Sequence, residues 1–210
     1  MKYSAIFILI TLGIIVGGVF WWLSTKSYPI KNMPTKPLQE LTVIAVGDSL
    51  VEGQGSTAGN DFVSLVSKRL GVPIQNYGVS GDISSQVLAR MDDVTEEKPD
   101  LVILLVGGND ALRKTSKETT FKNIEAIITS LQATGSAVVL VGIQGGLVGN
   151  GYQKEFERLA EKTGSLFVPD ILDGMIGNPE LMSDAVHPNN AGYKVIAGKV
   201  SLVIENAFKK

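Results

Sequence analysis

Beyond residue 40 the chain alternates two hydrophobic patterns. Short apolar runs, LTVIAVG (41–47), PIQNYGV (73–79), DLVILLVGG (100–108), AVVLVGI (137–143) and LFVP (166–169), are rich in branched side chains and bounded by Gly, Pro or Asp. Such runs predict strands of a buried parallel sheet. Between them, apolar positions recur at helical spacing. Ile83, Val87, Leu88 and Met91 make one stripe, and Phe121, Ile124, Ile127, Ile128 and Leu131 a second. Tyr152, Phe156, Leu159 and Ala160 make a third, and Tyr193, Ile196, Val200, Val203 and Ile204 a fourth. Each stripe is expected to face the core. Gly71, Gly135 and Gly164 follow helical segments, where a left-handed C-terminal cap belongs. Five strand–helix units in series predict an α/β fold, a three-layer α/β/α sandwich on a five-stranded parallel sheet. Periodicity does not give the strand order. It does say where to look for chemistry, because open α/β sheets bind ligands at the carboxyl ends of their strands.

The first 40 residues follow neither pattern. Ala5 to Leu23, AIFILITLGIIVGGVFWWL, is a run of 19 residues without a charge, long enough to cross a bilayer as a helix. Trp21 and Trp22 close it in the manner of an interfacial aromatic belt. A cleaved signal peptide is the alternative, since Lys2 and the terminal amine make a positive start; but the run exceeds the usual apolar segment and no A-x-A-like site follows it. The reading is therefore an N-terminal membrane anchor over 1–24, a proline-bearing tether over 25–40 and a globular domain over 41–210. Long domains translocate largely regardless of flanking charge, so the domain is expected outside the cytoplasm, periplasmic or extracellular, and secreted if the segment is cleaved. Gly13-x-x-x-Gly17 inside the run fits a helix-packing motif, although glycine is common in such helices.

Composition removes several functions. The 210 residues, 44% hydrophobic and 19% charged, suit a single domain with its own core. Nineteen basic against 21 acidic residues give no positive field for nucleic acid. The chain has no cysteine, which excludes disulfides, a thiol nucleophile and cysteine-based zinc sites.

Four polar clusters fall at the expected edge: Gly47-Asp48-Ser49 after the first strand, Ser80-Gly81-Asp82 after the second, Gly107-Gly108-Asn109-Asp110 after the third, and SDAVHPN (183–189) before the last helix. Singly, each has a plain explanation as a cap or turn. Together they supply a hydroxyl, an imidazole, a carboxylate and neutral donors. A serine hydroxyl needs a base to take its proton, and His187 is the only histidine. Asp184, three residues before it, can hold the second ring nitrogen. Pro188 suits the first position of the following helix. The Ser49 and Gly81 N–H groups and the Asn109 amide are candidate oxyanion donors, with Gly78 the alternative glycine. Asp82 and Asp110 read as loop-stabilising groups, Phe62, Leu65 and Val66 as packing against the sheet, and Asp92, Asp93, Glu96 and Glu97 as a solvated helix end.

GDSLVEGQG, NYGVSGD, VGGND and DAVHPN, in that order, resemble the four consensus blocks of the SGNH (GDSL) hydrolases, in particular the thioesterase I, lysophospholipase and arylesterase branch. The resemblance spans about residues 41–205. It implies a flavodoxin-like sandwich with Ser49, Asp184 and His187 as catalytic residues, and Ser49, Gly81 and Asn109 as the oxyanion hole. Relatives carry a loop like R-L-P-x-N-Y-G after the fourth strand where this chain reads QGGLVGNGY, so substrate preference does not transfer with the motifs. Loops 50–60, 144–151 and 171–182 are expected to shape the pocket.

The implied activity is a serine esterase acting on a small carboxylic ester or thioester through an acyl-enzyme, with no metal or organic cofactor. A carbohydrate O-acetyl esterase of the same fold is the alternative, and a non-catalytic binding module a further one. No serine has glycine at both −2 and +2, as an α/β-hydrolase elbow requires, and the glycines after Ser49 lack the lysine of a phosphate loop. A metal phosphoesterase built on Asp48, Asp110, Asp184 and His187 would normally draw on more than one imidazole.

Overall fold

A computed structural model describes residues 28–143 and 151–209. The strands are β1 (Val43–Gly47), β2 (Ile74–Gly78), β3 (Leu101–Leu105), β4 (Ala137–Val141) and β5 (Leu166–Val168). They form a parallel sheet in the order β2-β1-β3-β4-β5. Strands β1, β3 and β4 are buried at every position, which explains why they read as apolar runs without alternation. β2 lies at the edge, and Gln75 and Asn76 on it are exposed.

The helices are α1 (Ser49–Glu52), α2 (Phe62–Leu70), α3 (Ser84–Ala89), α4 (Met91–Glu96), α5 (Gly108–Leu112), α6 (Lys117–Ala133), α7 (Tyr152–Thr163) and α8 (Asn190–Phe208). α2 packs on α8, while α6 packs on α3 and α7. The predicted stripes supply the core: Val87, Ile124, Ile127, Ile128, Leu131, Phe156, Tyr193, Ile196, Val200 and Ile204 are all inaccessible to solvent. Phe62 and Val66 are buried with them. The chain order returns on itself between β1 and β3, and this is the switch point at which a ligand site is expected.

Three local expectations are corrected. The 100–108 run stops being a strand at Leu105, because Gly107 adopts φ 118° and α5 begins at the next residue. The stripe from Ile83 to Met91 is two short helices that meet at Arg90. Pro188 does not open α8: it bridges to Met182, and Asn189 caps the helix through its side chain, which accepts from the Ala191 and Gly192 N–H groups.

The described part of the tether, residues 28–40, is seated on the domain. Tyr28 donates to the Ser165 carbonyl, Lys31 N–H to Gly164, and the Asn32 amide to both Gln132 and Ser136. Lys36 pairs with Asp100, and Leu38 is buried in a short 3-10 turn. These partners lie at the amino ends of β5, β4 and β3. The segment is therefore a strap across the edge opposite the four polar clusters. It shows no helical or strand period because it runs irregularly along that edge, through a turn at residues 31–32 and the 3-10 turn at Leu38–Glu40. The apolar run Ala5–Leu23 lies outside the described residues; among those described, no helix is long and apolar enough to cross a membrane.

Candidate active site

Ser49 stands where β1 turns abruptly into α1. The turn needs Gly47, since a Cβ there would lie 1.9 Å from the Leu105 carbonyl oxygen and 2.6 Å from Val51 Cγ2. Asp48 caps the helix by accepting from the Leu50 N–H at 3.0 Å, so Ser49 occupies the first helical position. His187 reaches the same point from the loop between β5 and α8. Its Nε2 lies 3.1 Å from Ser49 Oγ, and its Nδ1 lies 2.8 Å from Asp184 Oδ2. With a carboxylate on Nδ1, the neutral imidazole keeps its proton there and turns the Nε2 lone pair toward the serine.

The loop that carries the pair is held by its own backbone. Asp184 Oδ1 accepts from the N–H groups of Val186 and His187, each at 2.8 Å. The His187 carbonyl accepts from the Ser183 N–H and hydroxyl. Burial works against ionisation of Asp184, but the Val186 N–H, the imidazole and the His187 N–H outweigh it and hold the carboxyl down at about 2. It is an anion throughout the neutral range. Its contribution to stability is present above the unfolded carboxylate range and is lost as the pH falls toward about 2.

Ser49, Gly81 and Asn109, which carry the three candidate donors, border the same cleft. The turn Val79–Asp82 is closed by the Asp82 N–H on the Val79 carbonyl, with Gly81 at φ 83° in its third position, where a left-handed residue is required. Among the described residues, neither the Ser49 nor the Gly81 N–H has an acceptor within the chain. Gly78, the alternative glycine, donates to Asn76 Oδ1 at 2.9 Å, and a Cβ on it would lie 2.1 Å from the Glu52 nitrogen. Its smallness serves packing. Asn109 Nδ2 gives one proton to the Asp82 carbonyl at 3.0 Å and has a second to spare.

A cleft of about 340 Å³ opens over these groups, and Asp48, Ser49, Ser80, Gly81, Asn109 and His187 line it on one side. Its apolar walls are Leu50, Leu112, Ile143, Leu172 and Val186. Leu112 is 49% exposed at the rim. Residues 144–150 of the loop after β4 lie outside the described residues.

Comparison with known proteins bears on this geometry. The model of the GDSL-like lipase/acylhydrolase family matches residues 45–195. The chain belongs to that family. The esterase TesA of Pseudomonas aeruginosa is 31% identical over 159 residues, covering 70% of this chain and 79% of that one. An arylesterase of Vibrio mimicus is 28% identical over 158 residues, with the same two coverages of 70% and 79%. A solved structure of TesA superposes with a TM-score of 0.72 at 31% identity, covering 79% of this chain and 99% of that chain. The GDSL acylhydrolase is an ester-bond hydrolase.

Sequence reading passed over several residues of this acylhydrolase that support its site. Tyr193, expected only as packing, also donates its hydroxyl to the Gln54 carbonyl. Arg90 and Arg113 grip the loop after β2. Asp82 and Asp110, by contrast, act as the sequence led us to expect: Asp110 accepts from the Ser84 N–H and hydroxyl and Asp82 pairs with Arg90, so both stabilise their loops.

Asp48 carries an electrostatic feature that its motif did not signal. It is only 2% exposed, and burial pushes its carboxyl up to about 7 against the pull of the Leu50 N–H and of His187. The folded state thus prefers the neutral form. Its contribution to stability is full below the unfolded carboxylate range, near 4, and is lost as the pH rises to about 7. The loss is on the order of 4 kcal/mol. Asp48→Asn keeps an acceptor for Leu50 and removes the titration. Urea midpoints are expected to fall between pH 5 and pH 8 in the native protein and to stay flatter in the variant. Parallel profiles would contradict this.

Proposed function

We propose that the protein hydrolyses carboxylic esters or thioesters through a covalent acyl-enzyme on Ser49. The observation that carries this is the Asp184–His187–Ser49 relay of 2.8 and 3.1 Å, opening into a cleft beside unpaired N–H donors. As Ser49 Oγ attacks the acyl carbon, its proton passes to His187 Nε2, and Asp184 stabilises the imidazolium. The carbonyl oxygen becomes an oxyanion facing the Ser49 and Gly81 N–H groups and the Asn109 amide. The C–O or C–S bond then breaks, and the imidazolium gives its proton to the leaving alcohol or thiol. Water repeats the sequence on the acyl-enzyme: His187 takes its proton, and the carboxylic acid departs as Ser49 recovers its own.

The apolar walls favour a hydrocarbon acyl group over a sugar acetate, which offers only a methyl to Leu112, Ile143, Leu172 and Val186. Hydrolysis of 4-nitrophenyl esters from acetyl to decanoyl tests this. The expected result is a kcat/KM that rises beyond acetyl to a maximum at a longer chain. A maximum at acetyl, together with turnover of acetylated xylo-oligosaccharides, would favour the carbohydrate esterase instead.

The apolar run Ala5–Leu23 is proposed as an anchor that leaves the domain outside the cytoplasm. The strap supports an arrangement in which the cleft opens away from the bilayer, since Tyr28 docks at the edge opposite Ser49. A reporter that is active only outside the cytoplasm, fused at the C-terminus, is expected to be active; a silent reporter in a protein that fractionates with membranes would reverse the orientation.

A further inference from the structure

The three proposed oxyanion donors come from three separate loops, after β1, β2 and β3. Hydrolysis gains from them only if their relative positions are fixed before the substrate arrives. One side chain joins two of these loops directly and the third through a shared residue. Arg90 lies at the junction of α3 and α4, with 21% of its side chain exposed. Its Nε donates to Asp82 Oδ2 at 2.9 Å, and its Nη2 donates to the Gly47 carbonyl at 3.0 Å. The Gly47 carbonyl also accepts from the Val79 N–H, which brings the β1 and β2 loops onto one oxygen. It lies two residues before Ser49.

Asp82 is the other half of the device. It is 7% exposed, its carboxylate takes Arg90, its carbonyl takes the Asn109 amide, and its N–H closes the turn that presents Gly81. On the outer side of the same turn, Arg113 donates to the Gly81 carbonyl at 2.8 Å and Ser80 donates to Glu52. The guanidinium is a planar fork with fixed donor directions. A lysine ammonium at the same point cannot meet a carboxylate and a carbonyl with that geometry.

We infer that Arg90, through Asp82 and the Gly47 carbonyl, is a positioning residue that holds the Ser49, Gly81 and Asn109 donors in register for the tetrahedral intermediate. It does not touch the substrate: the cleft lining includes neither Arg90 nor Asp82. Loss of Arg90 leaves the buried Asp82 carboxylate without its cation and frees the turn on which both Gly81 and Asn109 depend. The effect belongs in kcat, because the donors act on charge that develops in the transition state.

The inference rests on the acyl-transfer reading, and the test separates the two. In the full chain, Arg90→Ala is expected to lower kcat for 4-nitrophenyl esters about 10- to 100-fold, below the loss typical of deleting one donor outright. KM should stay within about twofold, and affinity for a trifluoromethyl ketone analogue should fall in proportion to kcat/KM. Low-millimolar guanidinium is expected to restore part of kcat in Arg90→Ala and none in Arg90→Lys, whose side chain fills the site. If Arg90→Ala does not fold, Arg90→Lys carries the test, with the same selective loss in kcat. A folded variant with unchanged kcat, or with its loss confined to KM, overturns the inference while Ser49→Ala remains inert. Activity surviving in Ser49→Ala would instead overturn the acyl-transfer reading.

Discussion

Ser49→Ala and His187→Ala are each expected to lower kcat for an activated ester by about 10⁴-fold or more, with thermal unfolding little changed. The first removes the hydroxyl that lies 3.1 Å from the imidazole, and the second removes the only imidazole in the sequence. Neither side chain contributes to the core, since both are partly exposed in the cleft. The double variant should be no worse than either single one. Once the nucleophile or its base is gone, the partner has nothing to act on, and the losses do not add. A fluorophosphonate probe gives an independent reading: it should label the native protein at Ser49, and fail to label Ser49→Ala. Retained turnover in either single variant would contradict the assignment.

Asp184→Asn is expected to produce the next largest loss, up to about 10⁴-fold and milder than His187→Ala. The substitution keeps an oxygen for the Val186 and His187 N–H groups, so the turn survives. What changes is the atom facing the ring. An amide donor in place of Oδ2 pushes the imidazole proton onto Nε2, where it blocks acceptance of the serine proton. The imidazole itself remains to give residual activity. Because Asp184 is held at about 2, protonation of this group cannot mimic the variant anywhere above pH 4. The native pH–rate profile should therefore show no loss assignable to Asp184 between pH 4 and pH 8. A variant with activity within a few-fold of native would remove Asp184 from the relay.

Much of the sheet was legible because burial on both faces leaves a plain trace. VIAVG, LVILL and AVVLV are apolar at every position for the reason that each is covered above and below. The ends of those runs then marked the carboxyl edge, and the polar clusters beyond them came together in one cleft. Strand order was not legible, since it depends on which helix crosses which face and leaves no local signal. The seating of residues 28–40 on the domain was not legible, because its anchoring groups, Tyr28 and Asn32, find partners 100 residues and more away. Arg90 was invisible for a similar reason: it contacts Asp82 from 8 residues away and Gly47 from 43, with no motif linking them. Pro188 was assigned to a helix by its type, whereas the better cap, Asn189, stood one residue later.

The central claim is the covalent intermediate on Ser49. Its most direct test is rapid mixing of the full chain with a 4-nitrophenyl ester whose acyl group turns over slowly, followed by acid quench and mass analysis of the peptides. The account predicts a burst of 4-nitrophenol close to one equivalent per protein, with the peptide containing Ser49 heavier by one acyl group. Steady release without a burst, in a quenched protein that carries no acyl group while hydrolysis proceeds, would contradict it.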